Sequence, residues 1–166
     1  MTYFQNFPLI PYSIENNFDT QLVTNIFKRF TLLQSVKSNA SVFFEYKVKE
    51  SDRPEIISDK IYGSVEFYWI IFLCNDIINP YEWIKTTSEL NEYVSKKYDD
   101  SNAIHHWETI DNIIVNSDYP GAIAISNFLY EDRINESKRN IKLLDPIYVQ
   151  QLSDELIEKL SFNDRN

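Results

Sequence analysis

The densest grouping of side chains able to bind a metal or move a proton is His105-His106-Trp107-Glu108. On a strand, where successive side chains alternate faces, His106 and Glu108 share one face and His105 points to the other. Two ligands are then together, where a catalytic zinc takes three from the protein and a structural zinc four. With only 2 His and 1 Cys in the chain, ordinary hydrogen-bonded histidines are the better reading, and no metal or cofactor is expected. Cys74 would need an exposed, electropositive setting to act as a nucleophile. It ends the apolar run Phe67-Tyr68-Trp69-Ile70-Ile71-Phe72-Leu73-Cys74, so a buried and inert thiol is expected. The adjacent carboxylates Asp99-Asp100 and Glu131-Asp132 point apart on a regular element and read as solvated charges rather than a hydrolytic dyad. Two glycines in 166 residues leave no material for a phosphate-cradling loop or a dinucleotide fingerprint. No reaction is encoded, and the chain reads as a non-enzyme.

Length and composition bound what carries these residues. A chain of 166 residues with 43% hydrophobic and 25% charged residues suits one domain with a sizeable core, or a small module with extended arms. The unusual figure is 15% aromatic, 11 Phe, 11 Tyr and 3 Trp. Rings beyond the needs of one core are expected between chains, since aromatic residues are enriched at the centres of protein interfaces. The net charge is −9, and residues 51 to 100 hold 5 basic against 10 acidic side chains. Without a basic stripe to neutralise phosphates, nucleic acid is not an expected partner; an acidic surface complements a basic protein. A lone cysteine and a start, Met1-Thr2-Tyr3-Phe4-Gln5-Asn6, without a basic region ahead of an apolar one point to synthesis in a reducing cytoplasm. The apolar run falls far short of the roughly 20 residues that span a bilayer, so no membrane span is expected.

Three segments follow. Residues 1–40 form the first: 1–18, with Pro8, Pro11 and scattered aromatics of neither period, read as an extended arm, and 22–37 fits a helix slightly better than a strand. The second, 41–98, opens with a strand over Val42–Val48. A short helix follows, capped by Ser51 or Asp52, with Pro54 in its first turn and Gly63 at its left-handed end. A second helix, capped by Ser64, is apolar all round and must be surrounded; a third spans Ser88–Tyr98. In the third segment, 99–166, residues 99–125 read as short strands or an irregular excursion and 128–144 follow neither pattern. The close is an amphipathic helix capped by Asp145 and started by Pro146, whose stripe Val149, Leu152, Leu156 and Leu160 requires a groove. The fold class is α+β: a strand-helix-helix core with an N-terminal arm and a C-terminal strand/helix extension.

The stretch Pro54 to Gly63, ending Tyr62-Gly63, resembles the first helix of a LysM-type module. Glu66-Phe67-Tyr68-Trp69-Ile70-Ile71, with Asn75 and Asn79-Pro80, resembles its second. The core motif of that module falls on Tyr62, Gly63, Trp69, Asn75 and Pro80. A likeness covering most of the chain joins three blocks: Tyr62-Gly63 to Trp83, Asn102-Ala103-Ile104-His105-His106-Trp107-Glu108, and Asn135 to Leu144 followed by Pro146-Ile147-Tyr148-Val149. In order and spacing they are similar to the baseplate wedge protein 53 family of T-even-type contractile phages. The resemblance implies a virion protein of the contractile tail, made in the host cytoplasm and present in six copies. Its implied partners are other baseplate wedge proteins, a sheath-initiator-like subunit and the central hub, and it would join adjacent wedges. LysM modules bind cell-wall glycan, so the alternative is a glycan-binding or wall-hydrolase-associated tail protein. After Asn79 the chain departs from the LysM pattern, running Pro80-Tyr81-Glu82-Trp83-Ile84, which implies a fold reused for protein contact. Tyr81, Trp83, His105, His106 and Trp107 are the expected interface residues.

Overall fold

A computed structural model of the chain describes residues 7–13, 20–27, 31–32 and 34–162. Helices and strands are mixed in an α+β arrangement and fall into two compact units. The first takes the described residues up to Glu45, then Asp52–Pro80 and the chain from Lys142 onward; the second takes Tyr46–Ser51 and Tyr81–Ile141.

In the first unit, β1 (Leu9–Tyr12) and β2 (Gln21–Thr24) pair antiparallel, Ile10 opposite Val23 and Pro11 opposite Leu22. This corrects two expectations. Part of the supposed arm is a strand, and the helix expected over 22–37 is a strand at its start and one turn, α1 (Gln34–Lys37), at its end. The remaining arm residues, 1–6 and 14–18, lie outside the described residues, as do 19, 28–30 and 33. Neither strand alternates clearly enough to be read alone, because each is defined by its partner. The Asn25 N–H donates to the Pro8 carbonyl at 2.8 Å, which places Pro11 at a position whose absent N–H would face away from β2. The proline therefore costs the ladder nothing.

The next elements form close to expectation: β3 (Phe43–Lys47), α2 (Pro54–Tyr62) and α3 (Tyr68–Cys74). Gly63 ends α2 with φ 73°, its N–H bonded to the Asp59 carbonyl, as a left-handed cap requires. The N-cap is Arg53 without a side-chain cap bond, not Ser51 or Asp52. Asp52 is instead buried and paired with Lys60 at 2.9 Å. Ser64 does cap, accepting from the Glu66 N–H at 3.2 Å, but it starts a 3-10 turn over Val65–Phe67 ahead of α3. Trp69, Ile70, Ile71 and Cys74 of α3 are buried, while Tyr68, Phe72 and Leu73 are half-buried. The helix is thus covered over a broad face rather than all round.

The strand paired with β3 is β7 (Asn140–Leu144). Hydrogen bonds just beyond its ends, Asp145 N–H to the Val42 carbonyl and Val48 N–H to the Arg139 carbonyl, run in opposite chain directions, so the pair is antiparallel. Asp145 caps a 3-10 turn over Pro146–Tyr148 that leads into α6 (Val149–Phe162). The predicted stripe of α6 is buried: Val149, Leu152, Leu156 and Leu160 join Phe7, Leu32, Trp69, Ile70, Cys74 and Leu144 in one core. The groove this helix requires is supplied by its own chain.

The second unit is built on α4 (Thr87–Lys97), α5 (Asn127–Ser137) and an antiparallel sheet of order β5-β4-β6, with β4 Ile104–Glu108, β5 Ile114–Val115 and β6 Ile123–Ser126. Thr86 and Glu89 form a reciprocal capping box on α4, a device that satisfies two otherwise unpaired backbone donors. Leu90, Val94, Ile125 and Ile141 are buried within this unit. Among the described residues the exposed large apolar side chains include 10 Ile against 6 aromatic rings. The surplus left outside the cores is more aliphatic than aromatic.

Candidate protein-contact site

All five expected interface residues lie in the second unit, where a band of aromatic and charged side chains holds together from end to end. It begins beside Tyr81, whose ring is 89% exposed on a 3-10 turn over Pro80–Glu82. The Lys85 Nζ lies 3.5 Å from the Tyr81 carbonyl and 4.8 Å above the Tyr93 ring. Lys97, one helical turn after Tyr93, faces the same ring at 5.5 Å and the Tyr98 ring at 5.3 Å. Cation and ring attract electrostatically at such distances. The Lys97 Nζ also donates to Glu131 at 2.7 Å, and the Tyr98 hydroxyl donates to the same oxygen at 2.8 Å.

From Tyr98 the band continues into the histidines. The Tyr98 and His105 rings meet edge to face at 6.3 Å, and His105 stacks on Tyr130 of α5 at 3.9 Å. The expectation that His105 points away from His106 is wrong: their Nδ1 atoms are 2.8 Å apart, and His106 also meets Tyr130 edge to face. A register shift between Ile104 and His106 breaks the two-residue alternation there. In that contact one ring nitrogen donates and the other accepts. The His106 Nε2 lies 3.4 Å from Glu108, which also takes the Arg133 guanidinium at 2.6 Å.

The electrostatics follow from this geometry. A hydrogen bond from Arg133 leads the effects that hold the Glu108 carboxyl below the usual range. Burial works against ionisation of Glu131, 5% exposed, but the hydrogen bonds from Lys97 and Tyr98 outweigh it and depress its pKa as well. Glu131 is therefore a buried ion-pair member, not a solvated charge. The two buried carboxylates of the band are each paired, Glu108 with Arg133 and Glu131 with Lys97. Among the described residues no group of three or more His, Cys, Asp or Glu is placed to hold a metal. Cys74 is buried in the first unit, where burial pushes its thiol up to about 12.

The remaining expected residues behave differently. Trp83 and Trp107 are half-buried. Of the core motif, Trp69 packs in the first-unit core and Pro80 is exposed. Tyr62 packs against that core, with burial raising its hydroxyl pKa. Asn75 acts as a strap: its Nδ2 donates to the Ile71 and Lys142 carbonyls and its Oδ1 accepts from the Lys142 N–H, each at 2.8 Å. It thus closes the end of α3 onto β7. Sequence reasoning missed Tyr93, Lys97, Tyr98, Tyr130 and Arg133. The spacing of Tyr93 and Lys97 on a predicted helix was a usable signal; stacking of His105 on Tyr130 had none.

An interlocked set of side chains without a metal-ligand cluster among the described residues suits a structural assembly component. Comparison with known proteins agrees. Residues 1–113 match the family described as base plate wedge protein 53, and the chain belongs to that family. It is 25% identical over 194 aligned positions to the baseplate wedge protein gp53 of Enterobacteria phage T4, covering 99% of this chain and 98% of that relative. The protein is accordingly a structural component of a phage tail baseplate and of the virion, not an enzyme. No helix among the described residues is long and apolar enough to cross a membrane.

Proposed function

We propose that the chain joins adjacent baseplate wedges around the central hub, six copies per baseplate, through contacts with other wedge proteins, a sheath-initiator-like subunit and the hub itself. The observation that carries this reading is the pre-organised band from Tyr81 to Arg133. Its buried Glu108 and Glu131 carboxylates are paired with Arg133 and Lys97, so rings beside them can be buried against a partner without stranding those charges. Tyr81, Trp83, His105, His106 and Trp107 are the side chains assigned to the contact. The order β3, α2, α3, then β7 supports a LysM-like module whose closing strand comes only after residues 81–139. No observation favours the wall-glycan alternative, and isolated peptidoglycan sacculi are expected not to retain the protein.

Co-expression with neighbouring tail proteins followed by size-exclusion chromatography tests the proposal. The parent chain should co-elute with wedge subunits, and Trp83→Ala should weaken that association by about 2 kcal/mol, as truncated aromatic anchors do. Undiminished co-elution of the variant across a dilution series would count against the assignment.

A further inference from the structure

We propose that the outer edge of β5, with the groove beside it, receives an extended apolar and basic segment of a neighbouring baseplate subunit as a fourth strand of the second-unit sheet. The inference rests on the baseplate assembly reading and assigns one further contact to it.

The backbone geometry selects the kind of occupant. The Asn112 N–H donates to the Thr109 carbonyl at 3.0 Å, the Thr109 N–H to the Ile113 carbonyl at 2.9 Å, and Asn112 has φ 59°. That is a three-residue hairpin closed by a left-handed bulge residue. It sets the register Glu108 opposite Ile114 and Trp107 opposite Val115, and with it the direction of each backbone group. Val115 faces β4, whereas the N–H and C=O of Ile114 and the N–H of Asn116 turn outward. Among the described residues β5 is a sheet edge. Outward, regularly spaced donors and acceptors are matched by another extended strand.

Side chains narrow the partner. Ile110, Ile113 and Ile114 are 84%, 62% and 73% exposed, and a groove of about 540 Å³ runs along Ile114, Val115, Asn116, Asp118, Tyr119 and Pro120. Alternate apolar side chains of an added strand would find aliphatic and ring surface there. Between Lys97 and Arg133 the chain has no Lys or Arg and 7 carboxylates. Glu108 and Glu131 are ion-paired, while Asp118 lines the groove and Asp111 lies in the hairpin loop. A basic segment complements this rim, whereas a second copy of a chain with net charge −9 would add like charge.

The test uses the full chain with its neighbouring wedge subunits. Ile114→Pro removes an outward N–H and leaves every bond to β4 in place; Asp118→Lys reverses the rim charge. Circular dichroism and thermal unfolding of the free variants check that both fold. The expected result is at least about a tenfold loss of association in each. In the parent, the Ile114 and Asn116 amides should exchange hydrogen at least about ten times more slowly in the assembly than in the free chain. If Ile114→Pro does not fold, Asp118→Lys and the exchange measurement decide. Normal assembly of Asp118→Lys together with unchanged exchange at both amides would overturn the proposal and leave the baseplate reading standing. A free-chain dimer abolished by Ile114→Pro would assign the edge to a second copy and overturn it too. Failure of the parent to join any wedge subunit would overturn both readings.

Discussion

Glu131 shows how a single buried carboxylate can organise a surface. It is tied to α4 through Lys97 and to the chain after it through Tyr98, so the rings above it have little freedom left to lose when a partner arrives. Its pKa is depressed in the fold despite burial, and that of Glu108 is depressed chiefly by Arg133. The unfolded chain, with an ordinary glutamate pKa of about 4.3, takes up these protons first as pH falls. The stabilisation is therefore complete above that value and is lost as pH drops through the folded-state pKa. As pH falls below about 4.3 the urea midpoint of the parent should fall more steeply than that of Glu131→Gln. Parallel curves would show that the Glu131 pairing does not contribute.

At the scale of elements, α6 carries the clearest energetic expectation. Leu156 is fully buried in the first-unit core among Leu152, Leu160, Trp69 and Phe7, and no polar atom is removed with it. Leu156→Ala should cost about 2–5 kcal/mol, transfer free energy plus a cavity that close packing cannot fully close. Equilibrium denaturation measures it, and a loss below about 1 kcal/mol would mean that α6 packs elsewhere in solution. The strand pair β3 and β7 makes a different point. Each strand begins in one unit and ends in the other, so the two cores share covalent continuity through four chain crossings. The Asn75 strap fixes where β7 enters the first unit, which gives the asparagine of the α3 end a structural role.

For the whole molecule, the informative feature is how much apolar surface stays outside both cores. Leu22, Ile26 and Phe27 around the β1–β2 hairpin and Ile110, Ile113 and Ile114 around β5 are exposed. A lone two-stranded hairpin is marginal in water, and apolar patches on a folded chain mark contact surfaces. The isolated protein should therefore bind an apolar dye such as anilinonaphthalene sulfonate while folded, and dye fluorescence should fall as wedge subunits are added. Unchanged fluorescence on assembly would show that these patches stay open in the baseplate. Much of this architecture was legible in the residues themselves. Local patterns named β3, α2, α3, α4 and α6, because caps, prolines, Gly63 and the stripe of Val149 and three leucines act through neighbours a few positions away. The inert Cys74 followed from its place in an apolar run. The β1–β2 pair, the closing partner of β3 and the stacking of His105 on Tyr130 were settled only by tertiary structure. Each depends on groups far apart in sequence, and a strand or a stacked ring acquires its role from what lies across from it rather than from what precedes it.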